Sequence, residues 1–427
     1  MEKRDWRENY LNQVREQIHW KRAQPVVLRE LRDHLQDQRD AYLSQGMKET
    51  DAETEALRQM GDPVTVGREL NQLHRPKPAW GLLVAMTVLA AVGLALWRFL
   101  YYDGDAHSWL PLLSMGLAAG LCALTWHTDM NRLAERAHWL CAALVLGMLT
   151  MALNQRFLIA GTLYGREQYL ALLSPLAFAG TVYALRDRGW LSLALYGAVF
   201  CLLLALCWGT GNFCSVLIFV ISACVIMLQA ISPGKKRGWR AGILLAIVLL
   251  LALAWHRFSV MERILHDGFL RQMVQAAWAN SKPLGMGTPC VLSGYDFTMT
   301  PQQMMDSSFM QCDFFLAAMA YRCGWLTALT LLAAVGGFLL LCLRGILRQK
   351  TLWGKLLACA VVTPLVIQTA GHVLANFGVI VSSFELPLLS YGNTYRMIDG
   401  FLLGLLLAVL RSGSILRDVP SRLAALR

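Results

Sequence analysis

Charge is what this chain has least of. Only 16% of its 427 residues are Asp, Glu, Lys or Arg, while 56% are hydrophobic. Soluble domains carry about a quarter charged residues, so most of this chain does not read as a soluble enzyme or binding module. The charge is also unevenly placed. Residues 1–78 hold 14 Lys+Arg and 14 Asp+Glu, and the remainder holds 25 and 14. The whole net charge of +11 therefore lies in the apolar part. It is scattered through short loops. A nucleic-acid footprint would cluster on one polar face, so no nucleic acid is expected as a partner.

Other absences narrow the class further. No CxxC pair occurs among the 11 Cys, and most of them sit inside apolar runs, where they act as small hydrophobes. That excludes a disulfide framework. Cys290 and Cys312 fall in a long loop and are read as free thiols, with a disulfide between them as the alternative. The start, MEKRDWRENYLNQ, lacks the apolar stretch of a secretory signal, so the first apolar run, from about Ala79, is expected to be a retained span. Glu30 and His34 stand four apart without a third ligand and read as a solvated helix face; no metal site is expected. No internal repeat of the transporter kind is visible.

What is present begins with a small helical region. Pro25 can open a helix because its missing N–H is not needed there. VVLRELRDHLQDQRDAYL then places Val27, Leu31, Leu35 and Leu43 near one face, and Gly46 stops the run. Asp51 is expected to cap ETEALRQM, which Gly61 ends, and Asp62-Pro63 to open a last helix through about Leu73. This gives a cytoplasmic helical domain over 1–75, with a linker, 76–79, closing HRPKP.

Ten apolar runs follow, each long enough to cross a hydrocarbon core. They cover roughly 80–101, 108–126, 138–154, 168–185, 189–208, 212–232, 240–256, 312–343, 354–380 and 391–411. Alternate loops hold Arg132 and Arg136; Arg186 and Arg188; Lys235, Lys236, Arg237 and Arg240; Arg344, Arg348, Lys350 and Lys355; and Arg411, Arg417, Arg422 and Arg427. These are 16 of the 25 basic residues beyond residue 78, and the loop YYDGDAH on the other side has none. Positive charge marks the inner side. The expected fold is thus all-α: a polytopic membrane protein with ten transmembrane helices after a small soluble helical domain, both termini inside, and a tail over 412–427. A long outer loop, 257–311, is expected to fold on the membrane surface, since it carries Phe269, Leu270, Trp278, Phe297 and Phe309.

Polar groups gather toward the outer side. Asp313 stands where the long loop meets the eighth run. ELPLLSYGNTYRMIDG, between the last two runs, carries Glu385, Tyr391, Arg396 and Asp399. NQRFLIAGTLYGREQYL carries Arg156, Arg166 and Glu167. Ionisable residues at the edge of spans are functional candidates, and His372 and Arg322 join them. Plainer readings stand beside these. Asp313 could cap a helix, Arg396 and Asp399 could neutralise each other across one turn, Arg322 could serve packing, and His372 could be a satisfied packing histidine.

The order of these features resembles the SEDS family (FtsW, RodA, SpoVE), ten-span bacterial enzymes that polymerise peptidoglycan strands. Where the family has TDFIFAVIAEELG, this chain has CDFFLAAMAYRCG, which places Asp313 on the family's essential acid. FLRQMVQAAWANSKPLGMG supplies Gln275, Ser281, Gly285 and Gly287 for the family's glutamine-rich approach, serine and GxG. The family's NIG and PLPFVSYGGSS become NFGVIVSSFELPLLSYGNT, matching Asn376, Gly378, Pro387, Ser390, Tyr391 and Gly392. RW…QPSE becomes RF…YGRE, carrying over Arg156 and Glu167. The resemblance spans about residues 80–411. There are departures. The acidic pair after the motif is Tyr321-Arg322, QPDLGTA is replaced by WGTGNFCS, SYGG is SYGN, and the basic residue of the fourth span falls near Leu170. The N-terminal region is not a SEDS feature and is similar to the short helical prefix, ending in MGDP, of some Gram-positive membrane proteins.

The resemblance implies an inverting glycosyltransferase of the bacterial cytoplasmic membrane, acting in cell-wall synthesis for cell shape, division or sporulation. The 4-hydroxyl of lipid II would attack the anomeric carbon of an undecaprenyl-linked strand, with Asp313 as base. Arg156, Lys282, Arg322 and Arg396 are the candidates to meet the leaving pyrophosphate, with a divalent cation (Mg2+ or Mn2+) as the alternative. Glu167, Ser390, Tyr391, Asn376, Gln275 and Ser281 complete the expected substrate-binding set. A penicillin-binding transpeptidase is the expected protein partner. The departures favour a second reading, a non-catalytic scaffold for that transpeptidase, and a third is a flippase for the lipid-linked precursor.

Overall fold

The computed structural model describes residues 5–76, 78–101, 109–157, 172–186, 190–209, 213–230, 269–289, 292–295, 297–299, 313–380, 384–390, 392–413 and 415–416. Two compact units form, Met1–Pro78 with Arg411–Leu416, and Ala79–Leu410.

The first unit contains four helices, α1 (Asp5–Gln17), α2 (Gln24–Ser44), α3 (Glu49–Met60) and α4 (Pro63–Leu73). Leu11, Val14, Ile18, Val27, Leu31 and Leu35 form its core, which Ile415 completes. Leu43 is only half-buried. The helix α1 lies ahead of the first helix expected from sequence; its apolar residues are few and its exposed face strongly polar. Asp62 caps α4, its Oδ2 accepting from Thr65 N at 2.9 Å and Thr65 Oγ1 at 2.8 Å. Asp51 is not a cap. Lys48 holds that position for α3, and Asp51 lies inside the first turn, where the helix dipole still favours an acid. Gly46 and Gly61 end α2 and α3 at φ +87° and +82°, a region costly for any side chain.

The second unit is built of apolar helices: α5 (Trp80–Tyr101), α6 (Leu110–Trp126), α7 (Met130–Glu135), α8 (Ala137–Phe157), α9 (Ser174–Ala184), α10 (Trp190–Gly209), α11 (Phe213–Ala230), α12 (Phe269–Ala279), α13 (Phe315–Cys323), α14 (Trp325–Leu347), α15 (Leu352–Asn376) and α16 (Asn393–Ser412). Among the described residues, four helices are long and apolar enough to cross a membrane: Trp80–Arg98, Trp325–Leu347, Leu352–Asn376 and Asn393–Ser412; several shorter apolar helices accompany them. The run at 240–256 lies outside the described residues, as do Cys290 and Cys312. A two-stranded antiparallel hairpin, β1 (Leu292–Tyr295) with β2 (Phe297–Met299), is a small departure from an all-helical chain.

The helices divide by what surrounds them. Val84, Val88, Leu112, Leu117 and Leu340 are exposed on α5, α6 and α14, as expected of side chains that face lipid. By contrast α15 is buried along most of its length. The close approach of α6 to α16 rests on Gly400 and Gly404, a GxxxG pair. A Cβ at Gly400 would overlap the carbonyl of Ala118, and one at Gly404 would overlap Thr125 and Cys122. Small residues are what allow two apolar helices to pack backbone to backbone where no water drives them together. Thr125 Oγ1 donates to Phe401 O at 3.2 Å, and Ser114 donates to Asn393 Oδ1 at 2.9 Å.

The expected eighth span, 312–343, is corrected. It is two helices broken at Gly324, whose φ of +101° ends α13 and starts α14. The break is packed from outside. A Cβ at Gly324 would overlap Pro283 O and Leu284 Cα. Gly285 N donates to Cys323 O at 3.1 Å, Gly287 N to Tyr321 O at 2.7 Å, and Trp325 N to Lys282 O at 3.0 Å. The glycines of SKPLGMG thus bring that loop onto the end of α13.

Candidate active site

Asp313 belongs to a turn just before α13, not to the start of a span. From Phe315 to Tyr321 the helix is fully buried, and Asp313 itself is half-buried. Such a helix start needs partners for its N–H groups. The partner comes from another helix. Asn376, the last residue of α15 and fully buried, accepts from Ala317 N at 2.8 Å through Oδ1. Its Nδ2 donates to Asp313 O at 3.1 Å and to His372 O at 2.8 Å. The same residue's carbonyl accepts from Trp278 Nε1 at 2.6 Å, and Trp278 stacks on Phe377. Asn376 therefore ties α12, α13 and α15 together beside Asp313.

One turn back on α15, His372 is also fully buried. Its Nδ1 lies 2.6 Å from Phe384 O. A carbonyl only accepts, so Nδ1 carries the proton. Gly371 makes room for the Phe384 ring, which a Cβ would overlap. The segment from Phe384 to Ser390 is then pinned at two further points. Ser390 Oγ accepts from Leu386 N at 2.7 Å, Asp399 Oδ2 accepts from Leu388 N at 3.2 Å, and Leu388 takes φ +64°. Gly93 of α5 closes on this segment, where a Cβ would meet Leu389 Cα at 3.1 Å.

This loop delivers Glu385 to the site. Its carboxylate lies against Gly392, at the place a Cβ there would occupy. Burial pushes the Glu385 carboxyl well above its usual range; the carboxylates of Asp313 and Asp399 push the same way, and the Arg396 guanidinium opposes them. Arg396 is 2% exposed and Asp399 likewise 2%, both on α16. Glu385, Arg396 and Asp399 are thus buried ionisable groups of one segment, where Asp399 bonds Leu388 N and Glu385 lies against Gly392. Among the described residues, no three His, Cys, Asp or Glu side chains gather as metal ligands.

The expected site residues separate into three sets. The structure brings Asn376 against Asp313, while Ser390 and Arg396 belong to the segment from Phe384 to α16; Asn376 and Ser390 both hold backbone. Gln275 lies over the Gly378 turn, two residues from Asn376. Arg322 is elsewhere. It lies in the last turn of α13, seven residues past Phe315, and a rise of about 1.5 Å per residue puts it on the order of 10 Å along the axis from the start of that helix. Lys282 is exposed at that same end, its carbonyl bonded to Trp325 N. Ser281 donates to Trp278 O at 2.7 Å and closes a turn. The side chains of Arg156, Glu167 and Tyr391 lie outside the described residues. Two residues emerge that sequence reading did not single out. Glu385 was noted only as one polar residue in a loop. Arg271 packs its Cγ 3.6 Å from where a Cβ of Gly378 would stand. Its signal was its helical spacing with Gln275 and Trp278 on α12.

No protein-family model matches the sequence, and no curated protein matches it. Solved structures do. One is a chain of a peptidoglycan synthase complex that coordinates polymerization and crosslinking, with a TM-score of 0.60, 18% identity, and coverage of 78% of this chain and 97% of that one. Another is the rod shape determining protein RodA of Thermus thermophilus, with a TM-score of 0.56, 17% identity and the same coverage. A variant of that RodA with one aspartate changed to alanine gives 0.57 and 16%. By fold this chain is a multi-pass membrane protein of the RodA type. The family that its motifs resemble and the fold that its helices adopt coincide.

Proposed function

We propose that this protein is a SEDS-type peptidoglycan glycosyltransferase that extends glycan strands from lipid II in the bacterial cytoplasmic membrane. The observation that carries this reading is Asp313, held by Asn376 at the start of a buried half-helix, in a chain with the RodA fold. Ten spans, a cytoplasmic prefix domain over 1–75 and cytoplasmic termini belong to the same proposal, with the basic loops as their support.

In this mechanism the 4-hydroxyl of the acceptor sugar gives its proton to the Asp313 carboxylate as its oxygen bonds to the anomeric carbon of the donor. The bond from that carbon to the phosphate oxygen breaks, and its electron pair leaves with undecaprenyl pyrophosphate. A hydroxyl is a weak nucleophile, and a positioned base contributes roughly 100- to 10,000-fold. The leaving anion needs positive charge. Arg271, missed by sequence, joins Arg156 and Arg396 as candidates, and the position of Arg322 and Lys282 at the far end of α13 argues for a role along the approach of the substrate rather than at the bond that breaks. A divalent cation bound with the pyrophosphate is a second source of that charge.

Arg396 favours a second reading. It is buried among carboxylates, where its charge serves the protein first, and this supports a scaffold that positions a penicillin-binding transpeptidase. The test is polymerisation of purified lipid II by the full chain, with and without a cognate transpeptidase, in the parent and in Asp313→Ala. Strands from the parent alone support the enzyme. Strands from neither, with both proteins folded, support the scaffold, and strands from both remove Asp313 from the chemistry.

A further inference from the structure

The loop SKPLGMG between α12 and α13 turns its large apolar side chains outward. Leu284 is 68% exposed and Met286 59%. Its backbone, by contrast, is fastened along the break between α13 and α14. Gly285 N donates to Cys323 O at 3.1 Å and Gly287 N to Tyr321 O at 2.7 Å. Trp325 N donates to Lys282 O at 3.0 Å and Leu326 N to Pro283 O at 3.3 Å. The Tyr321 hydroxyl donates to Thr288 O at 3.1 Å. Leu284 Cα stands so close to Gly324 that a Cβ there would overlap it, and Gly285, at φ +80°, turns the chain between the two exposed side chains. The fold therefore holds Leu284 and Met286 outward.

What they adjoin is α14. Its exposed residues include Leu326, Leu329, Ala333, Gly337, Leu340 and Leu347. Steps of three, four and seven residues put these on one side of a helix, which is long and apolar enough to cross a membrane. The loop pairs with the first turn of that helix, so Leu284 and Met286 continue its apolar stripe at the end where it enters the bilayer. Single exposed apolar residues are ordinary, whereas contiguous ones mark a surface that something apolar covers. The flanking residues say what covers it. Trp325 opens α14, and tryptophan favours the boundary between hydrocarbon and water. Lys282 is exposed on the same loop, and a lysine lays its stem along apolar surface while its ammonium stays with water and phosphate. Apolar side chains with a tryptophan at their base and a lysine beside them fit a lipid leaflet, acyl chains on one side and anionic headgroups on the other.

We infer that Leu284 and Met286 are a membrane anchor, inserted among the acyl chains of the leaflet where α14 begins, with Lys282 at the lipid phosphates. The anchor acts on α13. Through Gly285 and Gly287 the loop supplies donors to two of the carbonyls that a helix end leaves open, so a loop held in lipid also holds the end of this buried half-helix.

The test uses the full chain in nanodiscs of phosphatidylethanolamine and phosphatidylglycerol. Leu284 or Met286 is replaced by photoreactive p-benzoylphenylalanine, and the irradiated protein is analysed by mass. Leu340 on the α14 stripe is the lipid-facing control, and Glu49 on α3 the polar one. Phospholipid adducts at 284 and 286, as at 340, are the expected result. No adduct at 284 and 286 would mean that the loop faces water, and adducts to a second polypeptide would mean that a protein covers it; either overturns the inference. Lys282→Gln is expected to lower the share of phosphatidylglycerol among the adducts at 284, and an unchanged share removes Lys282 from the anchor. Amide exchange over α13 is expected to quicken in the double variant Leu284→Gln, Met286→Gln, whose changed side chains are exposed and leave the core intact. Unchanged exchange would reduce the anchor to a loop that merely touches lipid. None of these readouts needs turnover, so the anchor and the polymerase reading stand or fall separately.

Discussion

Asn376 caps a helix to which it does not belong. Its Oδ1 accepts from Ala317 N at 2.8 Å and its Nδ2 donates to Asp313 O at 3.1 Å, so the end of α15 fixes the start of α13. The position of the proposed base is thereby set by a residue 63 places away in sequence.

Replacing Asn376 by Ala is expected to leave Ala317 N–H and Asp313 C=O without these partners in a buried place. Each such loss costs about 1–3 kcal/mol. A lowered melting temperature in detergent, together with loss of polymerisation, checks this. Asn376→Asp can still accept from Ala317 but cannot donate to Asp313, and should recover stability better than activity.

Glu385 should also make stability depend on pH. Its carboxyl is raised in the folded state, so above the ordinary glutamate range the unfolded chain releases a proton that the folded chain keeps. Raising the pH through that window favours unfolding. Thermal melts of the parent should fall from pH 5 upward relative to Glu385→Gln, which does not titrate. Equal slopes for the two proteins would refute it.

The seam of α6 and α16 offers a packing test. Gly400→Val places side-chain atoms where the Ala118 carbonyl stands, and overpacking of this kind costs typically about 1–3 kcal/mol. Gly120→Val, on α6 with nothing within 4 Å of its Cβ, is the control and should leave the melting temperature nearly unchanged.

In the prefix unit, Asp62 accepts from Thr65 and its carboxyl is held below its usual value by those hydrogen bonds. The sign follows: its contribution is present above the unfolded carboxyl's pKa and is lost as pH falls through the folded one. Asp62→Ala should speed amide exchange over α4 at pH 7, and the difference should close in acid. Equal exchange at pH 7 would show that the cap contributes nothing.

Much of this protein was settled by sequence alone, because hydrocarbon imposes a local rule. A run such as WGLLVAMTVLAAVGLALWRFLY must become a helix wherever it sits, since nothing else satisfies its backbone in an apolar solvent. Caps such as Asp62 and stops such as Gly46 and Gly61 act through neighbours a few residues away, and they too were legible. The motif around Asp313 marked it as the candidate acid. What only the tertiary structure decided concerns contacts between distant segments. That Gly324 divides one apolar run into α13 and α14 depends on the SKPLGMG loop packing against it. That Asn376 and Ser390 bond backbone groups of other turns depends on which N–H groups happen to be left unpaired nearby. Above all, Glu385 looks in sequence like any loop glutamate. It is buried because His372 and Gly371 seat Phe384 on α15 and Gly392 leaves room for its carboxyl, and no periodicity or spacing records that meeting.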